Sequence, residues 1–243
     1  MPDNLSERPL RGIFIAGTDT GVGKTHVACA ILRHARNLGY RPIPYKPAET
    51  GADPWPLDAQ RLFEAAQPPV APDQICLYPL AMPAAPQAAA DAVGVTISAD
   101  RILTHARHLA AAGDSLVVEA AGGLLVPYHR DLTGADLAHL LDLPVLLVAR
   151  TELGTINHTA LSVNEIRRRN LGLLGIILCQ TTPAELPHHH SNAALIHQLT
   201  GVQPLGILPY VTHPTSQTLA QALADSLAAA AMAQLLRPLG GRF

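Results

Sequence analysis

The sequence lacks the features that usually mark membrane, secreted and nucleic-acid-binding proteins. No stretch approaches the roughly 18 consecutive apolar residues that a membrane-spanning helix needs. The opening segment MPDNLSERPLR is polar and charged, so we expect no signal peptide there. The formal net charge is only −2, which gives no electrostatic reason to expect nucleic acid or an anionic membrane as a partner.

Cysteine is scarce as well. The 3 cysteines, Cys29, Cys76 and Cys179, lie far apart and form no C-x-x-C pair. This usage predicts reduced, buried thiols in a cytoplasmic protein.

The chain also has no internal repeat and no linker long enough to divide it. With 243 residues, 48% of them apolar and 15% charged, it can bury a sizeable core, and we expect a single domain over residues 1–243.

What the sequence does contain is an alternation of short apolar runs and helical patterns. The runs do not alternate polar with apolar residues, as is typical of strands buried on both faces. They cover residues 13–16, 115–118, 145–149, 174–179 and 205–208. Helical periodicity covers residues 25–38, 100–112 and 156–169. This order predicts an α/β fold of three layers, with a mostly parallel central sheet and helices on both faces.

Five other segments give weaker signals. Residues 41–45 predict a short or irregular strand, because Pro42 and Pro44 each remove a ladder donor. Residues 53–56, 67–87 and 181–191 are rich in proline and predict loops. We interpret the histidines at 188–190 as part of a mobile, solvent-exposed loop rather than a metal site. The alanine-rich residues 216–236 are helical in pattern and would pack on the sheet or on a partner subunit.

A glycine-rich segment, GTDTGVGKT at residues 17–25, follows the first apolar run and opens a helix. Such a strand–loop–helix context is typical of a phosphate-binding loop, although five residues separate Gly17 from Gly23 where the usual pattern has four. Backbone N–H groups would surround phosphate oxygens, Lys24 would reach the terminal phosphates, and the Thr25 hydroxyl would ligate Mg²⁺. The alternative is a glycine-rich turn with an incidental Gly-Lys-Thr.

Three charged residues follow strands or begin a helix. Glu119 closes the run SLVV before AAGG, so it would project at the carboxyl edge of a buried strand as a metal ligand or as a structural charge. Asp58, in PLDAQRL, is by itself best explained as a helix N-cap. Lys46, in YKPAETG, would offset charge on a transferred phosphoryl group, or would be a solvated surface lysine.

Taken together, these motifs resemble the dethiobiotin synthetases, ATP-dependent ligases of the P-loop NTPase type. The resemblance extends from about residue 12 to about residue 210. The motifs that carry it are GTDTGVGKT (17–25), KPAETG (46–51), the Asp-Ala pair at 58–59, VEAAGG (118–123) and LGTINH (153–158). In this family the stretched phosphate loop is the rule, so the unusual spacing supports the resemblance.

The resemblance implies ATP and Mg²⁺ as cofactors, and 7,8-diaminopelargonate and CO₂ as substrates, in a homodimer with the substrate at the interface. The implied ATP-binding residues are Asp19, Thr20, Gly21, Val22, Gly23, Lys24, Thr25, Gln180 and Pro209. The implied magnesium ligands are Thr25, Asp58 and Glu119. This implied role of Asp58 replaces its interpretation as a helix N-cap. Lys24 and Lys46 would be catalytic. The implied substrate-binding residues are Thr50, Gly154, Thr155 and Asn157, whereas His158 is better explained as a helix-packing residue.

The chain departs from the family pattern at three places. Ala120 stands where glycine is usual, so its methyl group would tighten the site or be tolerated. Gln87 follows Pro86 where histidine is common, which affects a substrate contact. Gln180 precedes Thr181 where an Asn-Asp or similar pair often recognises adenine, and its amide would serve from a longer arm.

Two other functions are compatible with a phosphate loop. A ParA/MinD-like regulatory ATPase usually has an extra lysine near the start of the loop, where Asp19 stands here. A cobyrinate-type amide ligase normally carries a glutaminase domain, and 243 residues are too few for both parts. The sequence therefore favours the dethiobiotin synthetase interpretation.

Overall fold

The computed structural model describes residues 9–183 and 188–240. Its strands are β1 (Gly12–Gly17), β2 (Pro42–Thr50), β3 (Cys76–Leu80), β4 (Ser115–Gly123), β5 (Pro127–His129), β6 (Leu132–Thr133), β7 (Val145–Arg150), β8 (Leu173–Cys179) and β9 (Gly206–Leu208). Seven of them form one sheet in the order β3-β2-β4-β1-β7-β8-β9, with every pair parallel. Strands β5 and β6 form a separate antiparallel pair.

Helices cover both faces of this sheet. They are α1 (Lys24–Asn37), α2 (Leu57–Ala66), α3 (Pro86–Asp91), α4 (Ala99–Ala110), α5 (Gly134–Leu141), α6 (Thr155–Arg168), α7 (His188–Thr200), α8 (Ser216–Ser226) and α9 (Ala229–Leu236). Apolar residues of α1, α2, α8 and α9 form one buried cluster, and those of α3 to α7 form the other. The predicted three-layer α/β fold is confirmed. Within the described ranges, no helix combines the length and apolar character needed to cross a bilayer.

The expectation of a short or irregular second strand was wrong, because β2 runs for 9 residues between β3 and β4. The Lys46 N–H donates to the Ile75 carbonyl on the β3 side, at 2.8 Å. Successive N–H groups of a strand alternate in direction, so Pro42 and Pro44 also place their nitrogens on that side. The pairing with β3 begins only at Lys46, opposite Cys76. The two prolines therefore remove no hydrogen bond of the ladder.

Two predicted loops contain regular structure. Residues 67–87 include a 3₁₀ turn (Pro72–Gln74), strand β3 and the start of α3. Strand β3 carries Pro79 but lies at the edge of the sheet, where proline is tolerated. The other loop was expected at 181–191. Helix α7 begins at His188, so the placement of the three histidines in a loop was wrong, and residues 184–187 lie outside the described residues.

The C-terminal alanine-rich segment forms two helices rather than one. Helix α8 ends at Ser226, and Leu227 and Ala228 are extended before α9 begins. The buried leucines of both helices join the apolar cluster that includes α1 and one face of the sheet; they are Leu219, Leu223, Leu235 and Leu236. The sequence left open whether this segment packs on the sheet or on a partner subunit. In the structure it packs on its own sheet.

Candidate active site

The phosphate loop connects β1 to α1 in a conformation that only its glycines permit. Gly23 precedes α1 with a φ of 92°, in the left-handed region. A Cβ atom at this position would overlap the side chain of Cys179. At the other end of the loop, the Thr18 N–H donates to the Val148 carbonyl at 3.0 Å. The loop is therefore fixed against both β7 and β8.

Lys24 turns back across this loop. Its Nζ donates to the backbone carbonyl of Asp19 at 3.0 Å, and the residue is only 6% exposed. Burial lowers the pKa of Lys24 to about 8, and this effect outweighs the attraction of Glu119. The ammonium group thus lies inside the curve of the loop, at the start of a helix.

The side chain of Asp19 binds two other groups. Its Oδ1 accepts a hydrogen bond from the Thr20 N–H at 2.7 Å, and its Oδ2 binds Arg150 at 2.7 Å. Arg150 is the last residue of β7, so this ion pair joins the loop to the strand that leads to α6. No motif in the sequence indicated this contact.

A buried ion cluster lies beside the loop. Lys46 Nζ contacts Glu119 Oε1 at 2.5 Å and Asp58 Oδ2 at 3.1 Å, and the Thr25 hydroxyl donates to Glu119 Oε1 at 2.9 Å. Lys46 is 3% exposed and Glu119 is 1% exposed, which excludes the solvated-surface alternative for the lysine. Burial by itself lowers the pKa of Lys46, but the carboxylates of Glu119 and Asp58 raise it above its ordinary value.

The second oxygen of Glu119 provides a test of whether these residues suit Mg²⁺. Glu119 Oε2 is buried and has no hydrogen-bond partner among the described residues. A buried carboxylate oxygen without a partner is costly unless a cation or a donor reaches it. Together with the Asp58 carboxylate and the Thr25 hydroxyl, it forms an all-oxygen donor set of the kind that Mg²⁺ prefers beside phosphates. The residues present fit this ion.

The described residues contain no cluster of three or more histidine, cysteine or acidic side chains suited to a metal.

Asp58 does not cap its helix. Pro56 occupies the N-cap position of α2, so the N-cap interpretation was wrong. The cap comes instead from Glu49, whose two carboxylate oxygens accept the N–H groups of Asp58 and Ala59 at 2.8 and 2.9 Å. The role of Glu49 could not be inferred from the sequence because this contact joins two different elements and follows no local capping motif.

A cavity of about 480 Å³ brings most of the expected residues together. Of the expected site residues, those lining it are Thr20, Gly21, Gly23, Lys24, Thr25, Lys46, Thr50, Asp58, Glu119, Gln180 and Pro209. Asp19 faces a neighbouring cavity, and Val22 is fully buried, so its side chain contacts no solvent. The residues lie at the carboxyl edge of the parallel sheet, where ligands of such folds bind.

The remaining expected residues do not reach this cavity. Gly154, Thr155 and Asn157 lie at the start of α6, and the Thr155 side chain is buried within the helix. A second cavity of about 420 Å³ adjoins this helix and is lined by Thr18, Asp19, Gly123, Leu124, Leu125, Val126, Pro127, His158, Leu161, Ser162 and Glu165. His158 therefore borders a cavity rather than only packing in the helix.

The three departures lie in different surroundings. Ala120 is fully buried in the apolar cluster on the face of the sheet that packs against α3 to α7, opposite the face covered by α1. It does not line the main cavity. Its methyl group is therefore accommodated by the core. Gln87 lies in the first turn of α3, and it does not line the main cavity either. Gln180 does line the cavity, and its amide donates to the Thr182 carbonyl at 3.0 Å.

Comparison with known proteins identifies the relatives of this chain. The profile of a family described as an AAA domain matches residues 11–218. An ATP-dependent dethiobiotin synthetase BioD from Anaeromyxobacter dehalogenans is 49% identical over 90% of this chain and 98% of its own length. One from Bacillus thuringiensis is 39% identical over 83% of this chain and 84% of its own length.

A solved structure is similar in fold. The MinC:MinD cell division protein complex of Aquifex aeolicus matches 87% of this chain and 86% of that chain with a TM-score of 0.57. The sequence identity is only 13%, so this likeness concerns the fold alone. The two dethiobiotin synthetases, in contrast, match in sequence over 98% and 84% of their own length. The chain therefore belongs to the ATP-dependent dethiobiotin synthetase family.

Proposed function

We propose that this protein catalyses the ATP- and Mg²⁺-dependent reaction of 7,8-diaminopelargonate with CO₂ to give dethiobiotin, ADP and phosphate, a step of biotin synthesis. One observation carries the site assignment. Lys24, Lys46 and Glu119, which are far apart in the sequence, converge on one cavity at the carboxyl edge of the sheet. We also propose that residues 1–243 form a single ligase domain in the cytoplasm, which agrees with one central sheet and three free, buried thiols.

The phosphate loop would hold the triphosphate of ATP. Backbone N–H groups between Thr20 and Thr25 would surround its oxygens, and Lys24 would lie against the terminal phosphates. Gln180 and Pro209, at another part of the same cavity, would contact the base. Thr25, Asp58 and Glu119 would hold Mg²⁺, which neutralises charge on the phosphates when it is bound.

Lys46 would stabilise the reacting groups. One amine of the substrate adds to CO₂ and loses a proton to give a carbamate. A carbamate oxygen then takes the terminal phosphoryl group of ATP, and the second amine displaces phosphate from the carbonyl carbon to close the ring. Negative charge is present on both the carbamate and the phosphoryl group, so the Lys46 ammonium beside them would lower the barrier. Thr50, the last residue of β2, lines the same cavity and would donate a hydrogen bond nearby.

The substrate carboxylate would bind at the start of α6 in a second copy of the chain. Gly154, Thr155 and Asn157 lie outside the main cavity, so one copy does not bring all expected residues together. A helix N-terminus attracts a carboxylate. The same surface exposes Leu125, Leu153 and Leu161 to 51%, 94% and 61%, which is consistent with burial against another subunit.

The test is incorporation of labelled bicarbonate into dethiobiotin by the purified protein with ATP, Mg²⁺ and 7,8-diaminopelargonate. We expect product and phosphate in equal amounts, with phosphate release dependent on both the diamine and bicarbonate. The Glu119→Gln variant, with its circular dichroism checked against the parent protein, serves as the control and should form no product. Steady ATP hydrolysis that ignores both substrates would contradict the proposal and would favour a regulatory ATPase.

A further inference from the structure

Glu49 connects strand β2 to helix α2 at the edge of the main cavity. Its residue exposure is only 6%. One carboxylate oxygen accepts the Asp58 N–H and the other accepts the Ala59 N–H, so both oxygens are directed at the first turn of α2. Glu49 also lines the cavity that contains Lys46, Thr25 and Glu119.

Helix α2 depends on this contact because it has no cap of its own. Pro56 is the N-cap residue and supplies no side-chain hydrogen bond. The first N–H groups of a helix need an acceptor, and a carboxylate there also interacts favourably with the helix dipole. Burial raises the pKa of Glu49, while the hydrogen bonds from Asp58 and Ala59 oppose this rise and favour the ionised form.

The capped residue is itself a member of the buried ion cluster. Asp58 donates its backbone N–H to Glu49, and its side chain contacts Lys46 at 3.1 Å. The position of the Asp58 carboxylate is therefore set by the carboxylate that holds its backbone. Partners that orient a metal ligand in this way usually influence metal affinity strongly.

We infer that Glu49 is a positioning residue for the divalent cation: by holding the first turn of α2, it places the Asp58 carboxylate opposite Glu119. This inference rests on the proposed assignment of Asp58 as a magnesium ligand. Glu49 does not contact the cation in this scheme. Its effect is transmitted through the backbone of Asp58.

The experiment measures Mn²⁺ binding to the full-length protein saturated with ADP, by electron paramagnetic resonance. We expect Glu49→Ala to weaken Mn²⁺ binding by roughly 10- to 100-fold, the range typical of lost outer-shell partners. Glu49→Gln should lose less, because its amide oxygen still accepts one of the two N–H groups. Nucleotide binding without metal should change little in either variant.

Ser98→Ala is the matched control. Ser98 caps α4 by accepting the Arg101 N–H, and it does not line the main cavity. This variant should lose thermal stability but keep the parent Mn²⁺ affinity. If Glu49→Ala does not fold, Glu49→Gln decides the question, since it preserves shape and one hydrogen bond.

The Asp58→Asn variant distinguishes a failure of the positioning role of Glu49 from a failure of the proposed metal site. If Asp58→Asn weakens Mn²⁺ binding and the folded Glu49 variants do not, the positioning role is wrong while the metal assignment stands. If Asp58→Asn and Glu119→Gln both leave the affinity unchanged, the proposed metal site is wrong and the role of Glu49 falls with it.

Discussion

At the scale of single residues, the buried contact between Lys46 and Glu119 makes the burial of each charge depend on the other. Two opposite charges can be buried together because their mutual attraction offsets the loss of hydration. Asp58 contacts Lys46 and the Thr25 hydroxyl donates to Glu119, which completes the cluster. Although burial alone raises the pKa of Asp58, the neighbouring Lys46 lowers it below the ordinary value. Lys46 and Asp58 are therefore both ionised throughout the physiological pH range.

Removing one partner of this pair should reduce both activity and stability. We expect Lys46→Met and Glu119→Gln each to lower kcat by at least about 100-fold, the usual scale for a lost electrostatic contact in the transition state. Each should also lower the free energy of unfolding, by up to about 3–5 kcal/mol for a fully uncompensated buried charge. Urea titration of the double variant should show a smaller loss than the sum of the two single losses; strict additivity would mean that the two residues do not interact.

The ion pair between Arg150 and Asp19 should have a much smaller effect. The two side chains are 32% and 50% exposed, so the pair contributes at most about 1 kcal/mol. We therefore expect Arg150→Met to weaken ATP binding by no more than about fivefold in calorimetry. Arg41→Met removes a comparable exposed pair, with Asp114, and should leave ATP affinity unchanged. A loss of 100-fold in Arg150→Met would indicate a direct contact with nucleotide.

The sequence predicted the residues whose motifs indicate phosphate or metal binding. It did not predict the residues that contact and position them. Lys24, Lys46 and Glu119 occur in motifs with a known spacing, and all three line the expected cavity. Glu49 and Arg150 act through contacts that depend on the positions of whole elements. Glu49 contacts α2 from the end of β2, and Arg150 lies 131 residues from Asp19. Such contacts cannot be inferred from local spacing.

At the scale of elements, the apolar runs located the central strands, although β4 continues to Gly123, five residues beyond its predicted end. Strands β1, β7 and β8 were predicted to within one or two residues. Strand β2 was underestimated and β3 was missed, because both contain proline. Whether proline disrupts a strand depends on what lies beside its nitrogen, and only the sheet order supplies that information.

An ion cluster between α5 and α6 predicts a response to acid. Hydrogen bonds from Arg168 and Arg169 lower the pKa of Glu165 to about 2. Burial alone raises the pKa of Asp136, but hydrogen bonds from Thr133 and the charge of Arg169 lower it overall. A carboxylate whose pKa is lowered by folding contributes stability above its unfolded value near 4, and this contribution is lost as the pH falls toward the folded value.

We therefore expect Arg169→Met to lower the melting temperature at pH 6 and to differ less from the parent protein at pH 3. Calorimetry at the two pH values measures this difference. Arg41→Met is the control, and its effect should not change in the same way. An equal loss at both pH values would mean that Arg169 stabilises the protein by packing alone.

At the scale of the whole molecule, the apolar surface around the second cavity predicts the oligomeric state. Leu161 lies on α6, is 61% exposed and lines this cavity. In the proposed dimer, Leu161→Glu would place a charge in the interface. We expect sedimentation to show a monomer with greatly reduced turnover. Leu38→Glu, at a leucine that is 52% exposed near the end of α1, should remain dimeric.

Mixing two inactive variants tests whether each site uses both subunits. In a mixture of Glu119→Gln and Asn157→Ala chains, a mixed dimer has one site with both defects and one site with neither. Random reassociation of equal amounts should then restore about a quarter of the parent activity, as two-fold symmetry requires. If no activity returns although mixed dimers form, Glu119 and Asn157 act within the same subunit.

The order of strands in the sheet also bears on how the protein is made. Strands β1 and β2 are consecutive in the chain, but β4 lies between them. A chain synthesised only as far as Thr50 therefore contains Lys24 and Lys46 but not Glu119, which follows with β4. These two early strands stay unpaired with each other, and synthesis must proceed past Gly123 before the centre of the sheet closes. Two lysines that are buried in the folded protein are thus exposed to solvent while the chain is still being synthesised.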